Sequence, residues 1–168
     1  MKRSCKKGQM KLSFGMIFSI IMIIIFLVFG FFVIQKFLGV KDSIEIGKFA
    51  EGLQNDIDKM WKSSQGSQPV EYVLPLDVEF VCFVDYSSGE KGADSNKYKE
   101  LKKVYDDMQN LIFYPVGSGK GLDATTIEHL NLEKITEKEN PFCVENKNGK
   151  VEMTIKKNFD DALVVVEK

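Results

Sequence analysis

Along this chain the spacing of apolar positions changes twice, and each change predicts a different kind of element. From Leu12 to Ile34 (LSFGMIFSIIMIIIFLVFGFFVI) no charge interrupts an apolar run. At about 1.5 Å of helical rise per residue the run spans roughly 35 Å, enough to cross a hydrocarbon core of about 30 Å. A transmembrane helix is therefore expected over residues 12–36. Beyond it the apolar positions thin to a single stripe. Ile46, Phe49, Leu53, Ile57 and Met60 or Trp61 recur at helical spacing, with Lys48, Glu51, Asn55 and Asp58 between them. No breaker separates the two stretches, so residues 37–62 are read as an amphipathic continuation of the same helix, packed on a globular head. Gly39 and Gly47 are its weak points, each costing about 1 kcal/mol relative to alanine in a helix interior.

The helix is expected to stop in Ser63-Ser64-Gln65-Gly66-Ser67-Gln68-Pro69, after which the period becomes two. Val70, Tyr72 and Leu74 alternate. Val78, Phe80, Cys82 and Val84 then face one way, with Glu79, Val81, Phe83 and Asp85 facing the other. This second strand is apolar on both faces at its middle, as a central strand must be. Ser95 or Asn96 is placed to cap a helix carrying Tyr98, Leu101, Tyr105, Met108 and Ile112, and LIFYPV reads as a strand ended by Pro115. Ala124 to Leu132 is ambiguous between strand and short helix. Phe142 to Glu145, Lys150 to Lys156 and Leu163 to Glu167 read as strands, the first two joined through Asn148-Gly149, a strong hairpin signal. The fold class is α+β: a long N-terminal helix, membrane-spanning in its first half, packed on a small, mainly antiparallel sheet with one or two further short helices. Residues 63–168 form the head.

Charge sets the expected orientation. The leader, residues 1–11, holds Lys2, Arg3, Lys6, Lys7 and Lys11 with no acid, whereas the far flank mixes Lys36 and Lys41 with Asp42 and Glu45. By the positive-inside rule the leader is cytoplasmic and the head extracellular. A cleaved secretory signal also begins basic and turns apolar, but its apolar core is usually about 7–15 residues and ends in small side chains. Here Phe29, Phe31, Phe32 and Ile34 stand where small residues belong. Removing the five leader cations takes the formal charge from −1 to −6. An acidic outer domain speaks against nucleic acid as a partner, since phosphate binding needs a basic face.

The same topology sorts three cysteines. Cys5 falls in the leader, while Cys82 and Cys143 share the outer domain, where a disulfide persists. Two readings fit that pair: a disulfide, or two separately buried thiols.

Candidate chemistry is sparse, and the chain is not expected to be an enzyme. His129 is the only histidine, and no Ser or Cys has a base at a recognisable spacing, so no catalytic residue is assigned. An enzymatic reading would need Asp85, Glu128 and His129 to converge in a pocket. Gly117-Ser118-Gly119-Lys120-Gly121 invites comparison with a phosphate loop, but Gly121 stands where Ser or Thr is required and Tyr114 where the first Gly is required, so a solvated turn is expected. Asp85, Ser87, Glu90 and Asp94 are oxygen ligands of the kind calcium accepts, yet their spacing departs from the EF-hand pattern, and a solvated acidic loop is expected. No metal ligand or cofactor is assigned. Asn140-Pro141 reads as a turn before the strand carrying Cys143.

The junction Lys6-Lys7-Gly8-Gln9, immediately before the apolar run, rises above this background. It resembles the class III signal of archaeal type IV pilins and archaellins, in which a basic leader ends in Lys/Arg-Gly and a membrane peptidase cuts before a residue that is often Gln. The resemblance covers the leader and the N-terminal helix. It implies Lys7, Gly8 and Gln9 as the processing site, a prepilin-type peptidase as a partner besides the lipid bilayer, and self-assembly through the N-terminal helix. Many pilins carry Glu at the fifth mature position, where this chain has Ser13, and Lys11 is an unusual charge at the third. Gly15 and Ser19 form a small-xxx-small pair suited to close helix approach. The alternative is an uncleaved bitopic surface protein whose outer domain binds a protein or envelope component.

Overall fold

A computed structural model describes residues 14–105 and 108–168. Its first element is one helix, α1, Phe14–Lys62. The chain forms two units, one ending at Leu38 and one running Gly39–Lys168. In the first, the apolar side chains of α1 from Phe14 to Leu38, apart from the half-buried Met22, are exposed to solvent. This part of α1 is long and apolar enough to cross a membrane.

In the second unit α1 behaves as its stripe predicts: Ile46, Phe49, Leu53, Ile57 and Met60 are buried. They pack on two antiparallel sheets. The three-stranded sheet has the order β1-β6-β7, from β1 (Gly66–Val73), β6 (Lys150–Lys157) and β7 (Val165–Glu167). The four-stranded sheet has the order β4-β3-β2-β5, from β2 (Phe80–Phe83), β3 (Leu111–Tyr114), β4 (Ala124–Thr125) and β5 (Phe142–Glu145). Two short helices complete it: α2, Ser95–Val104, and α3, Leu132–Ile135. The fold is α+β, with a long N-terminal helix on small antiparallel sheets.

β2 is interior, between β3 and β5, and both its faces are used. Val81 and Phe83 join the core under α1, while Cys82 enters a second cluster with Val84, Ile112 and Cys143 beneath Tyr98 and Leu101 of α2. A strand buried on two sides cannot alternate polar with apolar, which is why its sequence does not. At one point a glycine decides the packing. A Cβ on Gly52 would stand 3.3 Å from the Tyr72 ring, which lies over α1 with its hydroxyl donating to Asp56 Oδ2 at 2.8 Å. The small residue lets β1 close onto the helix.

Several expectations are corrected. β1 begins at Gly66, inside the stretch in which the helix is expected to stop and ahead of the expected change of period, and Pro69 lies within it. β1 is an edge strand, so Pro69 gives up no interior ladder bond. α2 ends at Val104, before Met108 and Ile112: Met108 is exposed and Ile112 belongs to β3. Neither Ser95 nor Asn96 caps it; the N-cap is Asp94, with no side-chain cap bond, and the Ser95 hydroxyl donates to Gly92 O. Ala124 to Leu132 splits into the two-residue β4 and a loop leading to α3. The turn at Asn148-Gly149 is present, with φ of 56° and 84°, and is closed by a Lys147–Lys150 bridge, but β5 and β6 do not pair as a hairpin and belong to different sheets.

Candidate functional site

The processing residues Lys7, Gly8 and Gln9 lie outside the described residues, as do the rest of the leader, Leu12 and Ser13. Next along the chain, Ser19 donates its hydroxyl to Gly15 O at 2.8 Å, one turn back on α1. The bond satisfies the hydroxyl within its own helix and leaves the small face of Gly15 and Ser19 open.

Cys82 and Cys143 form a disulfide with an S–S distance of 2.07 Å. They are direct partners in the β2–β5 register, their Cα atoms 4.0 Å apart, and both side chains are buried. The bond joins residues 61 apart and ties the edge strand β5 to the interior strand β2.

His129 docks a loop onto α1. Its Nδ1 meets Asp58 Oδ1 at 3.1 Å, and its ring stacks on Trp61 with centroids 3.8 Å apart and planes 12° from parallel. Gln54 completes the clasp, donating to Asp58 Oδ1 at 2.7 Å and accepting the Glu128 N–H at 2.8 Å. The bonds from Gln54 and His129 hold the Asp58 carboxyl below its usual range. A lowered folded-state value stabilises the fold above the unfolded value and is lost as pH falls through the folded one. A carboxyl NMR titration of Asp58 is therefore expected to give a midpoint below 3.8, rising in Gln54→Ala. A wild-type midpoint at or above 3.8 contradicts this account of the clasp.

The Asp85 carboxylate is bonded to its own loop. Its Oδ1 accepts from the Ser87 N–H and hydroxyl, at 2.9 and 2.6 Å. Glu90 pairs with Lys99 and Asp94 with Lys97. Among the described residues no set of three His, Cys, Asp or Glu side chains gathers as a metal site. The strut of this acidic loop is Asn140, more than the turn residue its sequence suggests. Fully buried, it donates to Asp85 O and Gly89 O at 2.6 and 2.5 Å and accepts from Asp85 N at 3.1 Å.

The glycine-rich loop serves its own chain. The Gly119 N–H donates to Asp123 Oδ1 at 2.7 Å, so a carboxylate four residues on takes the amide that a phosphate loop would offer to ligand. Lys120 pairs with Asp77 at 2.7 Å. Asp123 was not singled out in the sequence; an acid just past a Gly-rich turn was the available signal.

A groove escaped the sequence reading altogether. About 750 Å³ in volume, it lies between the β5 edge and the outward face of the β1–β6 pair, and Glu71, Glu145, Lys147, Lys150, Glu152 and Lys168 are among the residues that line it. Lys150 pairs with Glu71 at 2.7 Å. Its size suits a small ligand or a peptide segment.

No family model, no curated protein and no solved structure matches the chain.

Proposed function

We propose that the chain is a single-pass surface protein with a cytoplasmic leader and an extracellular head, and that it serves as a structural subunit or minor component of a type IV pilus-like filament after cleavage following Gly8. The observation that carries this reading is α1. One helix is apolar and uncovered through Leu38 and supplies the core stripe of the head from Ile46 to Met60. In lipid such a helix is satisfied alone, because its backbone bonds are internal. Once the leader is removed, the same surface packs against identical helices in a filament core. The class III-like junction supports this order of events. The Cys82–Cys143 disulfide supports an oxidising location for the head.

The groove beside β5 favours a second reading, in which α1 only tethers a head that binds a protein or envelope component. Exchange of residues 12–36 for an unrelated transmembrane segment separates the two. A subunit loses its place in filaments on that exchange; a tethered binder keeps its function.

A further inference from the structure

β5 stands at the edge of the four-stranded sheet and pairs on one side only, with β2. Two bonds at the ends of β2 fix the alternation of its pairing. The Val84 N–H donates to Asn110 O on the β3 side, and the Asn146 N–H donates to Glu79 O on the β5 side. Successive residues of a strand turn their main-chain groups to opposite sides, so Val81 and Phe83 bond Val144 and Phe142. The N–H and C=O of Cys143 and Glu145 therefore point away from β2. Among the described residues these four groups have no hydrogen-bond partner. They border the groove of about 750 Å³ that Cys143 and Glu145 help to line. Cys143 is 4% exposed, so bulk water does little for its main chain. Buried main-chain groups are nearly always bonded, and an unpaired strand edge is the template on which a further strand forms.

The charges along the groove say which kind of strand fits. Lys97 pairs with Asp94 and Lys168 with Glu139. Glu71 and Glu152 face each other in the β1–β6 register and share one ammonium, that of Lys150, whose bond goes to Glu71. Glu145, Glu152 and Lys147 are left without a side-chain hydrogen bond or ion pair among the described residues. Two free carboxylates against one free ammonium complement a cation. We propose that the groove receives an extended peptide segment of a partner protein, which adds to β5 as a further strand, bonds the main chain of Cys143 and Glu145, and sets a Lys or Arg side chain against Glu145 or Glu152. The proposal rests on the reading of the head as a protein-binding module and deepens it, since it names the conformation and the charge of what is bound.

Full-length protein in phosphatidylcholine nanodiscs, panned against a displayed library of random dodecapeptides with empty discs as counter-selection, tests it. Enriched peptides are expected to carry Lys or Arg. In a synthetic copy, N-methylation of the alternate main-chain nitrogens that face β5 is expected to weaken binding at least about tenfold, because each lost bond strands its partner. N-methylation of the other alternate set is expected to leave binding nearly unchanged. The double variant Glu145→Gln/Glu152→Gln, which keeps every main-chain group, is expected to weaken binding about tenfold and to flatten its dependence on salt. Equal sensitivity to the two N-methyl sets, or binding untouched in the double variant, overturns the added strand and leaves the head a peptide binder of another kind. If no peptide is enriched over empty discs, the protein-binding reading falls as well. Enriched peptides that copy a stretch of this chain and compete with its own concentration-dependent association identify a second copy as the occupant, which also overturns the proposal.

Discussion

Phe49→Ala is expected to destabilise the unit Gly39–Lys168 by about 3–5 kcal/mol, the usual cost of truncating a buried phenylalanine. Phe49 is 2% exposed, and its ring makes two edge-on contacts, with Tyr72 at 5.1 Å and Phe113 at 5.6 Å between centroids. Tyr72 belongs to β1 and Phe113 to β3, so one side chain of α1 touches both sheets. Truncation removes transfer energy, opens a cavity where three elements meet, and deletes two aromatic pairs worth about 0.5–1.5 kcal/mol each. Urea unfolding followed by circular dichroism reads the change as a lower midpoint at similar slope. A loss under about 1 kcal/mol contradicts the packing of α1 on both sheets, because a surface site typically stays within about 0.5 kcal/mol.

The disulfide carries the second large effect. Its loop encloses α2, β3, β4 and α3, and opening it is expected to cost about 2–4 kcal/mol in the chain-entropy model. For a head of this size that corresponds to a fall in Tm of roughly 10 °C. The Cys82→Ala/Cys143→Ala double variant and reduced wild-type protein are both expected to melt early. The variant should be indifferent to reductant. Identical melting of wild type with and without reductant contradicts the assignment of the bond to the stability of the head.

Local periodicity carried the long elements. The stripe from Ile46 to Met60 is the one that packs, and the two-faced apolar strand at Phe80–Phe83 is interior. Both signals come from many residues repeating one requirement. Partner choice is non-local and was not legible. Asn148-Gly149 specifies a tight turn, yet whether β5 pairs with β6 or β2 depends on Val144 and Cys143 finding Val81 and Cys82 far along the chain.

The site suffered most from a local reading of polar residues. Asn140 looks like a turn residue and is a buried strut. Asn146 likewise donates to Pro75 O and Val78 O, and Asn110 brackets Ile127 with bonds to its N–H and its carbonyl. Each satisfies main-chain groups brought close only by the tertiary fold, so no spacing in the sequence announces it. The apolar run, in contrast, was legible because it repeats one uncharged, apolar signal over a length sufficient to cross a membrane.

The central claim is that this run is a filament helix released from its leader, and the mature N-terminus tests it most directly. N-terminal peptide mapping of protein from native membranes is predicted to give a chain beginning at Gln9, lacking Met1 to Gly8. A population beginning only at Met1 or Lys2 contradicts the account, and leaves α1 as the tether of a head that works at the membrane surface.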